Sequence, residues 1–155
     1  GGGQEQELRS GTLPVPLCLG FGEACELVQS EDFKSEIKRV SKLRDEFVNI
    51  LLSNNEKIFL NGPELDVRHS ANANLCFKGF YAKDLLDRLQ PNLCASSGAA
   101  CSSNIDAGSD TLQAIGLSDE EINGSIRFSF GLNNYVEEVK QASSLILDVL
   151  SDSEI

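Results

Sequence analysis

The sequence predicts an α+β fold with a small, largely antiparallel sheet flanked by helices. About four short strand patterns are mixed with about five helical patterns, and they do not form the strand–helix–strand repeat typical of parallel sheets. The clearest strand covers residues 125–130, where Ile126 and Phe128 alternate with Arg127 and Ser129. Because side chains alternate between the two faces of a strand, Arg127 is expected on a polar face.

Two helices are predicted before the sheet. Pro14 or Pro16 suits the first turn of a helix, where a missing N–H costs nothing, and apolar residues continue to position 28. Ser30 is a predicted N-cap for the next helix, in which apolar residues recur at steps of three, four and seven as far as residues 53–55. Its polar face includes Arg44 and is expected to be solvated.

The remaining elements are shorter. Strands are predicted at 57–60, 73–77 and 92–94, and short helices at 82–89, at 109–115 and after Ser118. Residues 134–137 resemble a capping box, which predicts the start of a helix that runs to the end of the chain.

Composition excludes several classes of protein. The chain has 155 residues, 41% hydrophobic and 24% charged, which is typical of one globular domain with a real core. Its net charge of −11 argues against nucleic-acid binding, which requires clustered lysine and arginine. No apolar stretch is long enough for a membrane span, and no secretory signal opens the chain.

Cysteine usage indicates a reducing compartment, and therefore the cytoplasm or an organelle. Five cysteines form no Cys-x-x-Cys pair, and with a single histidine they predict no metal site. Cys18, Cys25, Cys76 and Cys94 occur in apolar settings, which predicts burial and low reactivity. The sequence also lacks methionine, which predicts a fragment or a processed product.

Residues 95–109 form a run of small residues around Cys101. Such a run supplies little apolar area to anchor a loop, so we expect a mobile segment with an accessible thiol. The alternative is that Cys101 is a small buried hydrophobic residue, the commoner fate of a free cysteine.

Several motifs carry a family resemblance. They are Gly-Gly-Gly-Gln-Glu at 1–5, Arg-Ser-Gly-Thr at 9–12, Ser-Ser-Gly-Ala-Ala-Cys-Ser-Ser at 96–103, Ala-Ile-Gly-Leu at 114–117 and Gly-Ser-Ile-Arg-Phe-Ser-Phe-Gly at 124–131. In this order they resemble the carboxy-terminal part of the NifS/IscS-type cysteine desulfurases, which are pyridoxal-phosphate enzymes of the class V aminotransferase group.

The resemblance implies roles for three residues. Cys101 would be the nucleophile that takes sulfur from substrate L-cysteine as a persulfide, with alanine as the other product. Arg127 would bind the substrate carboxylate, although without the resemblance a surface arginine on the polar face of its strand is the favoured interpretation. Thr12 would contact the cofactor phosphate, with Gly11 allowing close approach of the backbone.

The resemblance also implies an organisation and partners. Residues 1–30 would be the tail of the large cofactor domain, and residues 31–155 the carboxy-terminal small domain of a fold-type I pyridoxal-phosphate enzyme. The full enzyme would be a homodimer that passes sulfur to an iron–sulfur scaffold or another sulfur-carrier protein.

The chain departs from the family pattern in several places, among them Gln6-Glu7-Leu8. Leu132 replaces a polar or basic residue, and residues 106–109 replace the usual acid-Pro-Ser segment. No Ser-His-Lys segment occurs, so the lysine that binds the cofactor is missing and the chain alone is expected to be inactive. The alternative is a non-enzymatic persulfide relay or docking module from a split or truncated gene.

Overall fold

The computed structural model describes residues 2–97 and 109–152, so Cys101 and most of the predicted loop at 95–109 lie outside the described residues. Within the described ranges, no helix combines the length and hydrophobicity that crossing a membrane requires. The elements are α1 (Val15–Gln29), α2 (Glu31–Asn54), β1 (Ile58–Leu60), β2 (Asn72–Phe77), α3 (Ala82–Leu89), β3 (Ser96–Ser97), α4 (Asp110–Ala114), α5 (Asp119–Asn123), β4 (Ser125–Ser129) and α6 (Val136–Ser151), with 3₁₀ segments at Gln4–Glu7 and Leu65–Val67.

The chain divides into two compact units, Gly1–Glu36 and Ile37–Ile155. The first contains α1, whose apolar side chains are largely exposed; Leu17 and Phe21, for example, are 73% and 74% accessible. The second contains the sheet and the hydrophobic core. The predicted assignment of residues 1–30 to a larger cofactor domain stays a prediction.

The sheet confirms the predicted fold class. Its strand order is β1-β2-β4-β3, and all three neighbouring pairs are antiparallel. The predicted strand at 92–94 is wrong, because β3 begins at Ser96 and pairs only two residues with β4. β4 occupies a central position, between β2 and β3.

One face of the sheet carries the core. Leu75, Ile126 and Phe128 are buried there, in one cluster with side chains from α2, α3 and α6. Phe47 of α2 packs on Phe128, with ring centroids 4.9 Å apart, a spacing typical of favourable aromatic pairs. The alternation predicted for β4 is therefore confirmed, with its apolar face inward.

Capping side chains fix where three helices begin. Ser30 caps α2 through its hydroxyl, which accepts the N–H of Phe33 at 3.1 Å. Ser118 caps α5, and its hydroxyl and N–H also donate to the Glu121 carboxylate, which holds the pKa of Glu121 below its usual range. At α6 the carboxylate that bonds back to the Tyr135 N–H is Glu138, one residue beyond the predicted motif.

Arg44 is buried, which corrects its predicted place on a solvated helix face. Only 2% of the residue is accessible, and its guanidinium donates to the carbonyls of His69 and Leu65 at 2.9 and 2.8 Å. A third bond joins Nε to Asp45 at 2.6 Å. The helix period places Arg44 beside charged neighbours, but the loop before β2 folds over it and supplies carbonyl acceptors.

Replacing Arg44 should destabilise the second unit substantially. Arg44→Met keeps the length of the side chain but leaves two carbonyl groups without their donor, which should cost about 2–4 kcal/mol of unfolding free energy. Lys42→Met, on the exposed side of the same helix, is the matched control and should change stability little. Urea unfolding measures both variants, and equal effects would contradict the structural role of Arg44.

Candidate functional site

Four polar residues form a row across the strands on the face opposite the core. Asn61 follows β1 and donates its N–H to the Asn74 carbonyl at 2.9 Å, which extends the β1–β2 ladder by one residue. Asn74 of β2 is the register partner of Arg127 in β4, and Arg127 is the partner of Ser96 in β3. We call Asn61, Asn74, Arg127 and Ser96 the polar row.

Hydrogen bonds hold one end of the polar row. The Asn61 side-chain amide donates to Asn74 Oδ1 at 2.7 Å and to the Ser125 hydroxyl at 2.8 Å. Ser125 in turn donates to the main-chain carbonyl of Glu121 at 2.6 Å. Asn61 and Ser125 are buried, at 8% and 0% accessibility, so this end of the polar row is fixed in place.

Arg127 is the exposed cation of the polar row. Its guanidinium makes no hydrogen bond or ion pair with any residue in the described part of the chain, whereas Arg9, Arg39, Arg44 and Arg68 each donate to a main-chain carbonyl. A guanidinium can bind a carboxylate through two parallel hydrogen bonds. The central strand therefore presents a cation on a paired backbone, and this cation is available to an anionic ligand.

Thr12 lies in the other unit. It is exposed and follows Gly11, whose φ of 113° lies in the region that favours glycine. The Gly11 N–H donates to Gln4 Oε1 at 3.2 Å, and Arg9 donates to the Ser10 carbonyl at 2.6 Å. The structure thus describes Thr12 and Arg127 in separate units, and Cys101 lies outside the described residues.

The exposure of the lysine side chains indicates whether this chain could hold pyridoxal phosphate by itself. A lysine that forms an imine with the cofactor needs a walled pocket that keeps water out and lowers its pKa. Every lysine of this chain is exposed on the surface: Lys34, Lys38, Lys42, Lys57, Lys78, Lys83 and Lys140. The described residues therefore do not form a site for the whole cofactor.

The cysteines correct three sequence-based predictions. Cys76 is buried as expected, but Cys18, Cys25 and Cys94 are exposed. Cys18 and Cys25 belong to α1, and no residue of α1 is buried by the described part of the chain. Cys94 precedes β3 and lines an open cavity of about 330 Å³ beside Phe130.

Asn61 and Asn74 are functional candidates that the sequence interpretation missed. Asn74 lies between Ala73 and Leu75 in a predicted strand, so its alternation with apolar residues could have placed it on the polar face. Asn61 gave no comparable signal, because its contacts with Asn74 and Ser125 depend on the tertiary fold. No group of three or more potential ligands that could hold a metal ion occurs among residues 2–97 and 109–152.

Alkylation should separate Cys76 from the exposed cysteines. Burial, and next the charge of Glu121, raise the pKa of the Cys76 thiol, which keeps it protonated and shielded at neutral pH. Iodoacetamide at pH 8 should therefore modify Cys18, Cys25 and Cys94 roughly tenfold faster or more, as peptide mass mapping would show. The difference should disappear in urea, and equal rates in the folded chain would contradict the described burial.

Comparison with known proteins places this fold in a family. Residues 2–142 match the protein-family model described as aminotransferase class-V. The cysteine desulfurase IscS of Rickettsia typhi is 39% identical over 146 residues, covering 94% of this chain and 35% of the relative. The corresponding protein of Rickettsia akari is 38% identical over the same shares of both chains. The chain thus spans about a third of the length of these curated relatives.

Solved structures agree with the sequence relatives. A NifS-like protein superposes with a TM-score of 0.78 at 28% identity, covering 97% of this chain and 38% of the other. DndA from Streptomyces lividans gives a TM-score of 0.56 at 29% identity, covering 84% of this chain and 35% of the other. The resemblance identified from the motifs is confirmed, and since the family model covers residues 2–142, the chain belongs to the aminotransferase class-V family.

Proposed function

We propose that this chain is part of a pyridoxal-phosphate-dependent cysteine desulfurase in which Arg127 binds the carboxylate of L-cysteine. The observation that carries the proposal is the exposed guanidinium of Arg127, which has no partner among the described residues and is mounted on a central strand. The similarity to proteins named cysteine desulfurase supports the choice of substrate.

The surroundings of Arg127 suit a carboxylate ligand. Its neighbours in the polar row, Asn74 and Ser96, are uncharged, and no acidic side chain in the described part of the chain forms an ion pair with it. Hydrogen bonds between a charged pair contribute about 1.5–3 kcal/mol each. Because β4 is paired on both sides, the backbone that carries Arg127 is already fixed before the ligand binds, and only the side chain loses freedom.

Cys101 is the proposed sulfur acceptor. In the overall reaction, L-cysteine and the Cys101 thiol give L-alanine and a Cys101 persulfide: the carbon–sulfur bond of the substrate breaks, a sulfur–sulfur bond forms, and no external oxidant is needed. Support comes from the sequence, in which Cys101 follows the end of β3 by four residues in the family's characteristic motif.

The cofactor would depend on residues outside this chain. Its imine-forming lysine is not among the exposed lysines described above, so the rest of the enzyme would supply it. Thr12 is proposed as a phosphate contact, since Gly11 allows close approach of the backbone. On this proposal residues 1–30 end the large cofactor domain, residues 31–155 form the small domain, and the enzyme is a cytoplasmic homodimer serving an iron–sulfur scaffold or sulfur carrier.

A second candidate function is a persulfide relay or docking module without desulfurase activity. It is favoured by one observation, namely that all seven lysines are exposed and none is placed to form a cofactor imine. The two functions differ in their products: the relay would accept sulfur from a sulfane donor but would form no alanine from L-cysteine.

Substitutions in the full protein that contains this chain test the leading proposal. With L-cysteine, Cys101→Ser should abolish persulfide formation, whereas Cys94→Ser, which removes an exposed thiol seven residues earlier, should leave it near the wild-type rate. Arg127→Gln should raise the KM for L-cysteine roughly 10- to 100-fold, with a smaller effect on kcat.

The measurements are alanine formation and peptide mapping of the persulfide. Persulfide formation that persists in Cys101→Ser would contradict the assignment of the acceptor. An unchanged KM in Arg127→Gln would contradict the carboxylate site. Persulfide on Cys101 from a sulfane donor, without alanine from L-cysteine, would favour the relay.

A further inference from the structure

Asn74 lies between the fixed end of the polar row and Arg127. It bonds to Asn61 on the β1 side, and on the β4 side its register partner is Arg127. Side chains directly opposite each other in an antiparallel pair have Cβ atoms about 4.5–5.5 Å apart. One carboxylate group can therefore reach both side chains.

The hydrogen bonds determine which way the Asn74 amide faces. The Glu121 carbonyl can only accept, so the Ser125 hydroxyl must donate its single proton there. In its bond with Asn61, the Ser125 oxygen is therefore the acceptor. The Asn61 side-chain atom that faces Ser125 must be the donor Nδ2. That nitrogen also lies 2.7 Å from Asn74, so the Asn74 atom facing it must be the acceptor Oδ1.

This orientation leaves the Asn74 amide nitrogen as a donor on the other branch of the side chain, away from its bond to Asn61. Within the described part of the chain, no hydrogen bond uses this nitrogen, and no buried side-chain nitrogen or oxygen lacks a partner. The Asn74 nitrogen is therefore open to solvent or to a ligand. Together with Arg127, the polar row presents donors, as an anionic carboxylate requires.

We propose that Asn74 donates a second hydrogen bond to the carboxylate bound by Arg127, and that Asn61 fixes the Asn74 amide in the orientation this needs. The inference rests on the proposed function, because it concerns the same ligand group. Asn61 is a positioning residue, since it acts through Asn74 and is itself buried. Asn74, which is only partly buried, is the residue that touches the ligand.

The test is calorimetric binding of L-alanine to the full protein, with ethylamine as the ligand that lacks the carboxylate. Asn74→Asp keeps the shape and the acceptor for Asn61 but replaces the free donor by a negative oxygen. It should weaken L-alanine binding about tenfold or more and leave ethylamine binding unchanged. Asn74→Ala, which removes the donor without adding charge, should weaken L-alanine binding several-fold.

Asn72→Asp is the matched control. It adds the same charge on the same strand and face, but its register partner is Ser129, and its side chain accepts from Arg68 at 3.2 Å. It should change L-alanine binding much less than Asn74→Asp. Asn61→Ala should weaken L-alanine binding through Asn74, and restoring an amide with Asn61→Gln should recover part of the loss.

The binding measurements distinguish a failure of the proposed role of Asn74 from a failure of the proposed function. If Arg127→Gln weakens L-alanine binding but neither Asn74 variant does, the role of Asn74 is overturned and the carboxylate site stands. If Arg127→Gln has no effect either, the proposed function fails as well. If Asn74→Asp weakens L-alanine and ethylamine equally, the role of Asn74 is structural and the inference is overturned.

Discussion

The pairing register between β2 and β4 is the constraint on which the core and the polar row both depend. Leu75 opposite Ile126 faces the helices, and the next pair, Asn74 opposite Arg127, faces the other side. Because side chains alternate strictly, a slip of one residue would bury Arg127 and expose Ile126. The free energy of burying the apolar face therefore also holds the polar row in place.

Local patterns predicted much of this fold. The alternation in residues 125–130 placed Arg127 correctly on an exposed face, and Ser30 and Ser118 marked the starts of α2 and α5. These signals work because they depend on neighbours within a few residues along the chain. Arg44 was misplaced because its burial depends on carbonyls of residues 65 and 69, which lie beyond its own helix.

The limits of prediction at the candidate site have the same physical origin. Asn61 gains its role from contacts with residues 13 and 64 positions away, and no periodic pattern reports such contacts. Cys18 and Cys25 were predicted to be buried from the apolar composition of α1, but composition does not specify what covers a helix. The importance of Cys101 still rests on its sequence motif, since it lies outside the described residues.

We propose that a buried, directional set of hydrogen bonds orients one side of a carboxylate site whose other side is Arg127. A crystal structure of the full protein with bound L-alanine tests it most directly. We expect carboxylate oxygens within about 3 Å of the Arg127 guanidinium and of Asn74 Nδ2. A carboxylate bound elsewhere, with Arg127 paired to an acidic side chain, would contradict it.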